Sequence, residues 1–375
     1  MSRGPRQVRF RAGSSTESQQ RHRYWRRHFC WNVGFSRGRE GTGCAPWITL
    51  WRRDSVVTEP AASDASIMPR CTRGSGDIPT GLQDLRYRIE YGLLRLIVLL
   101  VRLVPIDVGA NISGLVWRVI APHNWRHQRA LENLAIAFPE KSVRERQNIA
   151  LAMWENLGRV MAETMQIDRI IVEPERIKIA NEQVFARYRD KLGPAIGVTL
   201  HTGNWELAIW PFTVAGNNPA AVYRTIKNPY IDFYLRETRR KLYPGGLLGR
   251  GRSRAEGHNT ARLIMDFVRQ GGRLGLVCDL HDRTGLPVPF FGRPAPSVTI
   301  PAIIARRVGA RIWMARCLRL GKQSRFQIDW KELKVPRGRN HAEDVKWITA
   351  EIQKQFETWI REVPEQWMWS NRRWC

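Results

Sequence analysis

From Leu82 onward the spacing of apolar residues predicts alternating helices and strands. The run Leu93-Leu94-Arg95-Leu96-Ile97-Val98-Leu99-Leu100-Val101-Arg102-Leu103-Val104 predicts a helix stopped by Pro105, whose ring cannot continue it. The helix runs from about residue 82 to 104, but this apolar run is shorter than the roughly 20 residues a membrane span needs. Arg95 and Arg102 are seven positions apart and so share one side of that helix, leaving the remaining circumference apolar. Two readings follow: a membrane-surface helix with both guanidinium groups reaching headgroups, or a buried helix with two Arg at its solvent edge.

Further along, Ile149, Met153, Leu157 and Val160/Met161 recur at helical spacing between Ser142 and Gln166, predicting a core-facing helix. Ala195-Ile196-Gly197-Val198-Thr199-Leu200 is a short, β-branched apolar run of the kind that forms a buried parallel strand, and Leu207–Phe212 begins the next element. Ala220–Tyr223, Leu274–Cys278 and Arg311–Cys317 predict further strands. Between them Tyr230–Leu242, Ala261–Gln270 and Val298–Val308 predict helices, and a last helix runs from about Glu343 to Arg361. This alternation predicts an α/β fold, a sheet flanked by helices, with no internal repeat.

Composition narrows the partners. At 375 residues and 43% hydrophobic content the chain buries a core, which excludes disorder throughout. The 61 Lys and Arg outnumber 34 Asp and Glu, and a formal charge of +27 draws the chain to nucleic acid, anionic membrane or phosphorylated substrates. Its 16 Trp favour a membrane–water boundary, where an indole's apolar body and polar N–H both find partners. The Lys and Arg are spread along the chain, no nucleic-acid module is present, and no nucleic-acid partner is expected. Six scattered Cys have neither zinc nor disulfide spacing, so a reducing compartment is expected. With no secretory signal pattern either, the bulk of the chain is expected on the cytoplasmic side.

Residues 1–67 differ from the rest: no Lys, many Arg, isolated Trp and no sustained period. They read as an unstructured basic extension, or as the product of a start assigned upstream of Met68, leaving 68–375 as a single domain.

The chemistry concentrates in His201-Thr202-Gly203-Asn204-Trp205-Glu206, directly after a predicted buried strand. Active sites of α/β sheets gather at such strand ends. A neutral His201 there takes a proton from a hydroxyl as its oxygen attacks a thioester carbonyl. Gly203 permits a tight turn, so Glu206 is expected to fold back and accept a hydrogen bond from the other ring nitrogen. The competing reading is a satisfied loop His beside a helix-start Glu. Arg224, after a strand, is placed to hold a phosphate, or else to form an ion pair, with Asp279 as one candidate. Asp279 orients Arg224 or a substrate hydroxyl, or caps its strand. Phe290-Phe291-Gly292 reads as core and turn. His123, His127, His258, His281 and His341 lack a partner at motif spacing. His281 lies near Asp279 and Asp282, but their spacing sets no full ligand set in register and the chemistry demands no metal, so none is expected.

The same segment resembles the catalytic motif of the bacterial lipid A biosynthesis acyltransferase family, late lauroyl/myristoyl-type transferases related to glycerolipid acyltransferases. Four more segments resemble that family in its order: Leu131–Pro139 (N-L-x-x-x-F-P), Val222–Pro229 (Y-R-x-x-x-N-P), Asp279 followed by Val288–Gly292, and Pro364–Trp369 with Arg372-Arg373-Trp374. Asn371 departs from the His that relatives often carry before the Arg pair. The resemblance covers roughly 82–375. It implies a mixed-sheet, glycerolipid acyltransferase-like fold with a membrane-associated N-terminal helix, and an O-acyltransferase in lipopolysaccharide biosynthesis at the inner membrane's cytoplasmic face. It further implies His201 as general base with Glu206, substrate contacts at Arg224, Asp279, Asn204 and Asn228, an acyl carrier protein thioester as donor, a lipid A precursor as acceptor, and no cofactor. Two alternatives stand beside it: an acyltransferase acting on another glycolipid or a glycerophospholipid, and a non-catalytic basic protein binding membrane or nucleic acid.

Overall fold

The computed structural model describes residues 81–181, 183, 186, 193–250, 254–338 and 340–374. The extension 1–67 and Met68 lie outside them. Four helices come first: α1 (Gly81–Arg102), α2 (Ile106–Ile120), α3 (Trp125–Ala137) and α4 (Val143–Thr164), then the single-turn α5 (Ile167–Ile170). Helix α4 starts where the sequence places it because Ser142 and Glu145 close a capping box: the Glu145 N–H donates to the serine oxygen and the Ser142 N–H to the glutamate. Its buried face carries Met153, Leu157 and Val160.

The remaining elements build the sheet and its cover: β1 (Ile177–Ile179), β2 (Ala195–Thr199), a 3₁₀ turn (Trp205–Ile209), α6 (Trp210–Val214), β3 (Pro219–Arg224), α7 (Pro229–Arg239), β4 (Gly246–Arg250), α8 (Arg254–Arg269), β5 (Arg273–Val277), β6 (Leu286–Phe290), β7 (Arg293–Ser297), α9 (Ile300–Val308), β8 (Arg311–Arg319), β9 (Phe326–Leu333) and α10 (His341–Glu362). Seven strands form one sheet in the order β1-β9-β8-β2-β5-β3-β4. Only β8 and β9 pair antiparallel, so the sheet is mixed and flanked by helices. β6 and β7 make a separate hairpin whose turn, Phe291-Gly292, has φ +50° and +71°. The Phe291 ring is nevertheless buried against Phe138, Trp369 and Trp374, and Phe-Phe-Gly is therefore core and turn.

Arg95 and Arg102 share a side of α1 and stay exposed at its solvent edge: Arg95 lies over the Tyr91 and Tyr234 rings, and Arg102 makes a two-pronged contact with Asp168 at 2.8 Å. The opposite stripe, Leu82, Leu85, Ile89, Leu93, Leu96, Leu100 and Leu103, is exposed, each residue by at least half. A second exposed apolar stripe, Val108, Ile112, Leu115 and Val119, runs along α2. No helix among the described residues is long and apolar enough to cross a membrane.

Candidate active site

The centre of the sheet juxtaposes two strand ends. β2 and β5 are parallel neighbours with Thr199 opposite Val277. Two residues beyond that pair lie His201 and Asp279, 78 positions apart in sequence and level with each other in register. The His201 Nδ1 sits 2.8 Å from Asp279 Oδ1, and the His201 backbone N–H donates to Asp279 Oδ2 at 2.8 Å. The Trp367 indole N–H donates to the same Oδ2 at 2.7 Å.

Asp279 is fully buried, whereas the His201 side chain is 17% exposed and Trp205 packs edge-on against it. Among the described residues nothing hydrogen-bonds Nε2. Burial opposes charge on His201, but the charge and hydrogen bond of Asp279, with the more distant charge of Glu206, outweigh it and raise the imidazole pKa. Burial likewise opposes ionisation of Asp279, and the His201 and Trp367 contacts overcome it, holding the carboxyl below its ordinary range. An ionised Asp279 fixes the proton on Nδ1 and leaves Nε2 as the basic nitrogen.

Glu206 is not the hydrogen-bond partner expected. It lies on the 3₁₀ turn, where its carboxylate accepts from Arg239 of α7, one bond from Nε measuring 2.8 Å. The turn after Gly203 carries residue 206 toward α7, leaving the register-matched Asp279 nearest to Nδ1. Asn204 departs from expectation too: it is fully buried and donates to Glu163 at 2.9 Å, so no substrate reaches it in this structure. Asn228, 3% exposed, caps α7 by accepting from the N–H groups of Tyr230 and Ile231, and donates to Tyr87 O and Glu90 of α1. Its role is to hold α1 on α7. Arg224 ends β3, exposed and with no ion pair among the described residues; Asp279 is committed to His201.

Two features hold the His201 loop. The first is a buried cluster in which Arg319 binds Glu163, with Asn156 and Ser324 completing it. The second is Gly203, at φ +55°, where an added Cβ would stand 2.1 Å from Cys317 O. Gly203→Ala therefore cannot keep this backbone path. The expected result is a Tm lower by several degrees, with activity falling more than the unfolded fraction explains; a variant with the parent's Tm and rate would disprove the constraint.

The segment after α10 lies against the same loop: Thr202 and Trp367 form a β-bridge, Gly203 N–H donates to Gln366 O and Met368 N–H to His201 O. Asn133 of α3 donates to Trp369 O and Asn371 O. Three of the five matched segments thus meet at the His201–Asp279 pair, and a fourth braces the C-terminal one through Asn133. Sequence spacing offered no sign of Glu163, Arg319 or Arg239.

Of the other histidines, His127 accepts from Trp154 Nε1 at 3.1 Å, and the His258 side chain lies outside the described residues. Asp282 accepts from the Thr284 N–H and closes a turn. A cavity of about 660 Å³ opens over β8 and β9, lined by Trp313, Trp330 and Arg316, and includes neither His201 nor Asp279.

No curated protein matches the chain significantly. The family model for bacterial lipid A biosynthesis acyltransferase matches residues 80–375, an interval that contains both strand ends, the Gly203 turn and the C-terminal segment folded over them. The chain therefore belongs to the bacterial lipid A biosynthesis acyltransferase family and is an acyltransferase of that pathway.

Proposed function

We propose that this enzyme moves a fatty acyl group from an acyl carrier protein thioester to a hydroxyl of a lipid A precursor, at the cytoplasmic face of the inner membrane, with residues 68–375 as its catalytic domain. The observation that carries the mechanism is the His201–Asp279 pair, whose Nε2 has no hydrogen-bond partner among the described residues. Nε2 accepts the proton of the acceptor hydroxyl as that oxygen attacks the thioester carbonyl. The C–O bond forms, the tetrahedral intermediate collapses with C–S cleavage, and the departing thiolate takes the proton from the imidazolium. Asp279 orients the ring and stabilises the imidazolium, and no covalent enzyme intermediate is required. Glu206 contributes its negative charge, which also favours the protonated ring. Arg224, exposed at a strand end, is the residue best placed to meet a phosphate of the acceptor or of the carrier's phosphopantetheine.

The test incubates labelled acyl carrier protein thioesters of graded chain length with a lipid A precursor and reads the lipid by mass spectrometry. Transfer that His201→Ala abolishes in a folded protein supports the reading. Undiminished transfer by that variant overturns the base, and equal use of coenzyme A thioesters overturns the carrier. Acylation of a glycerophospholipid in place of the lipid A precursor moves the acceptor. Salt-sensitive heparin retention without any transfer favours a non-catalytic basic protein.

Membrane docking is read from the apolar stripes of α1 and α2, which present leucine, isoleucine and valine to the outside. Leu96→Gln with Leu100→Gln is expected to cut sedimentation with anionic vesicles by at least about tenfold, since each immersed leucine contributes roughly 1.5–3 kcal/mol. Unchanged partition would overturn this face.

A further inference from the structure

We propose that Trp367 is a positioning residue of the active site, its indole N–H fixing which oxygen of Asp279 faces the His201 ring. This rests on the reading of His201 as base. A carboxylate on a short side chain turns easily about its last torsion, which has no deep staggered wells. Asp279 is fully buried, so no water restrains it from outside. Its Oδ2 is instead held by two protein donors, the His201 backbone N–H and the Trp367 indole at 2.7 Å, and Oδ1 is left for the imidazole.

Trp367 is well suited to this because it is itself immobile. It is 1% exposed, with its ring edge-on to Trp369 at 4.5 Å and against Phe290 at 5.9 Å. Its backbone bridges Thr202, and the flanking residues bond His201 O and the Gly203 N–H. One residue thus touches the base's loop through its main chain and the base's carboxylate through its side chain, locking their separation. An indole has a donor and no acceptor, so it cannot compete with Asp279 for the imidazole proton.

Loss of that donor has a direction. A charge-assisted hydrogen bond stabilises the carboxylate and spreads its charge. Without it Asp279 is a stronger base, its Oδ2 held by the His201 N–H alone, and it binds the imidazolium more tightly, so the ring releases its proton at higher pH. Among the described residues the other charged groups acting on the pair are Glu206, on the 3₁₀ turn, and Arg373, on the same C-terminal segment; both remain in the variants.

The experiment compares Trp367→Phe with the full chain carrying benzothienylalanine at 367, which keeps the indole's shape and replaces its N–H by sulfur. The isostere is expected to keep the parent's Tm, to lose about ten- to a hundredfold in kcat, and to move the acid limb of kcat and the His201 NMR titration to higher pH. An isostere with the parent's kcat and an unmoved His201 titration overturns the proposal and leaves Trp367 as packing. His201→Ala runs in parallel. If it retains activity, the base reading fails; if it is inactive while the isostere is normal, the fault lies with Trp367 alone.

Discussion

Asp279→Asn is expected to lower the plateau of kcat by roughly a thousand- to ten-thousandfold. The asparagine fits the space, but its amide can donate to Nδ1, which places the ring proton on Nε2, where the acceptor hydroxyl must deliver its own. Two effects of pH separate this loss from general damage. In the parent the raised pKa of His201 means the neutral base disappears as pH falls through a value above the ordinary imidazole figure of about 6.5. In Asp279→Asn the main raising influence is gone while burial, which favours the neutral ring, remains, so the acid limb moves to lower pH even as the plateau collapses. Rate profiles over pH with Glu206→Gln alongside decide the matter. An equal loss and an equal limb shift in folded Glu206→Gln, with little effect of Asp279→Asn, would return the role to the carboxylate that spacing suggested.

The largest stability effect is expected at Glu163→Ala. The Glu163 carboxylate, fully buried, accepts from Arg319 at 2.8 Å, Asn204 at 2.9 Å and Ser324 at 2.7 Å. Removing it strands the Arg319 guanidinium, 7% exposed, with only the Asn156 oxygen at 2.9 Å on its Nε. Breaking one side of a buried ion pair costs about 3–5 kcal/mol, because the remaining charge stays desolvated. Urea unfolding should show the midpoint falling at unchanged slope. Adding Arg319→Leu to Glu163→Ala should recover part of the loss, since the stranded charge is then gone. A single variant within about 1 kcal/mol of the parent would mean that water or a rearranged partner compensates Arg319. Because Asn204 belongs to this cluster, activity is expected to fall beyond the loss of folded protein.

The motif residues divide by how far their partners lie along the chain. Strands Ala195–Thr199 and Arg273–Val277 were legible because a strand buried on both faces reads as an unbroken apolar run. β9, with Gln327, Asp329 and Lys331 among its apolar residues, and β4, with three Gly or Arg among five, carry no such run and were not foreseen. α2 went unread because its outward face is apolar as well, blurring the period. His201 was legible from its place at a strand end. Its partner was not, since local spacing favours Glu206 and only the order of strands makes Asp279 a neighbour.

Sequence alone determined the α/β alternation, the helix start near Ser142, the Phe-Phe turn and the position of the His201 imidazole after a strand, all of which depend on neighbours a few residues away. Tertiary structure decided which carboxylate that imidazole meets, that Asn204 and Asn228 face inward, and that Arg95 and Arg102 find partners in Tyr234 and Asp168. Those outcomes follow from strand register and helix docking, which bring together residues tens to hundreds of positions apart. Hydrophobic periodicity dictates which face of an element is buried, but not which neighbour it is buried against.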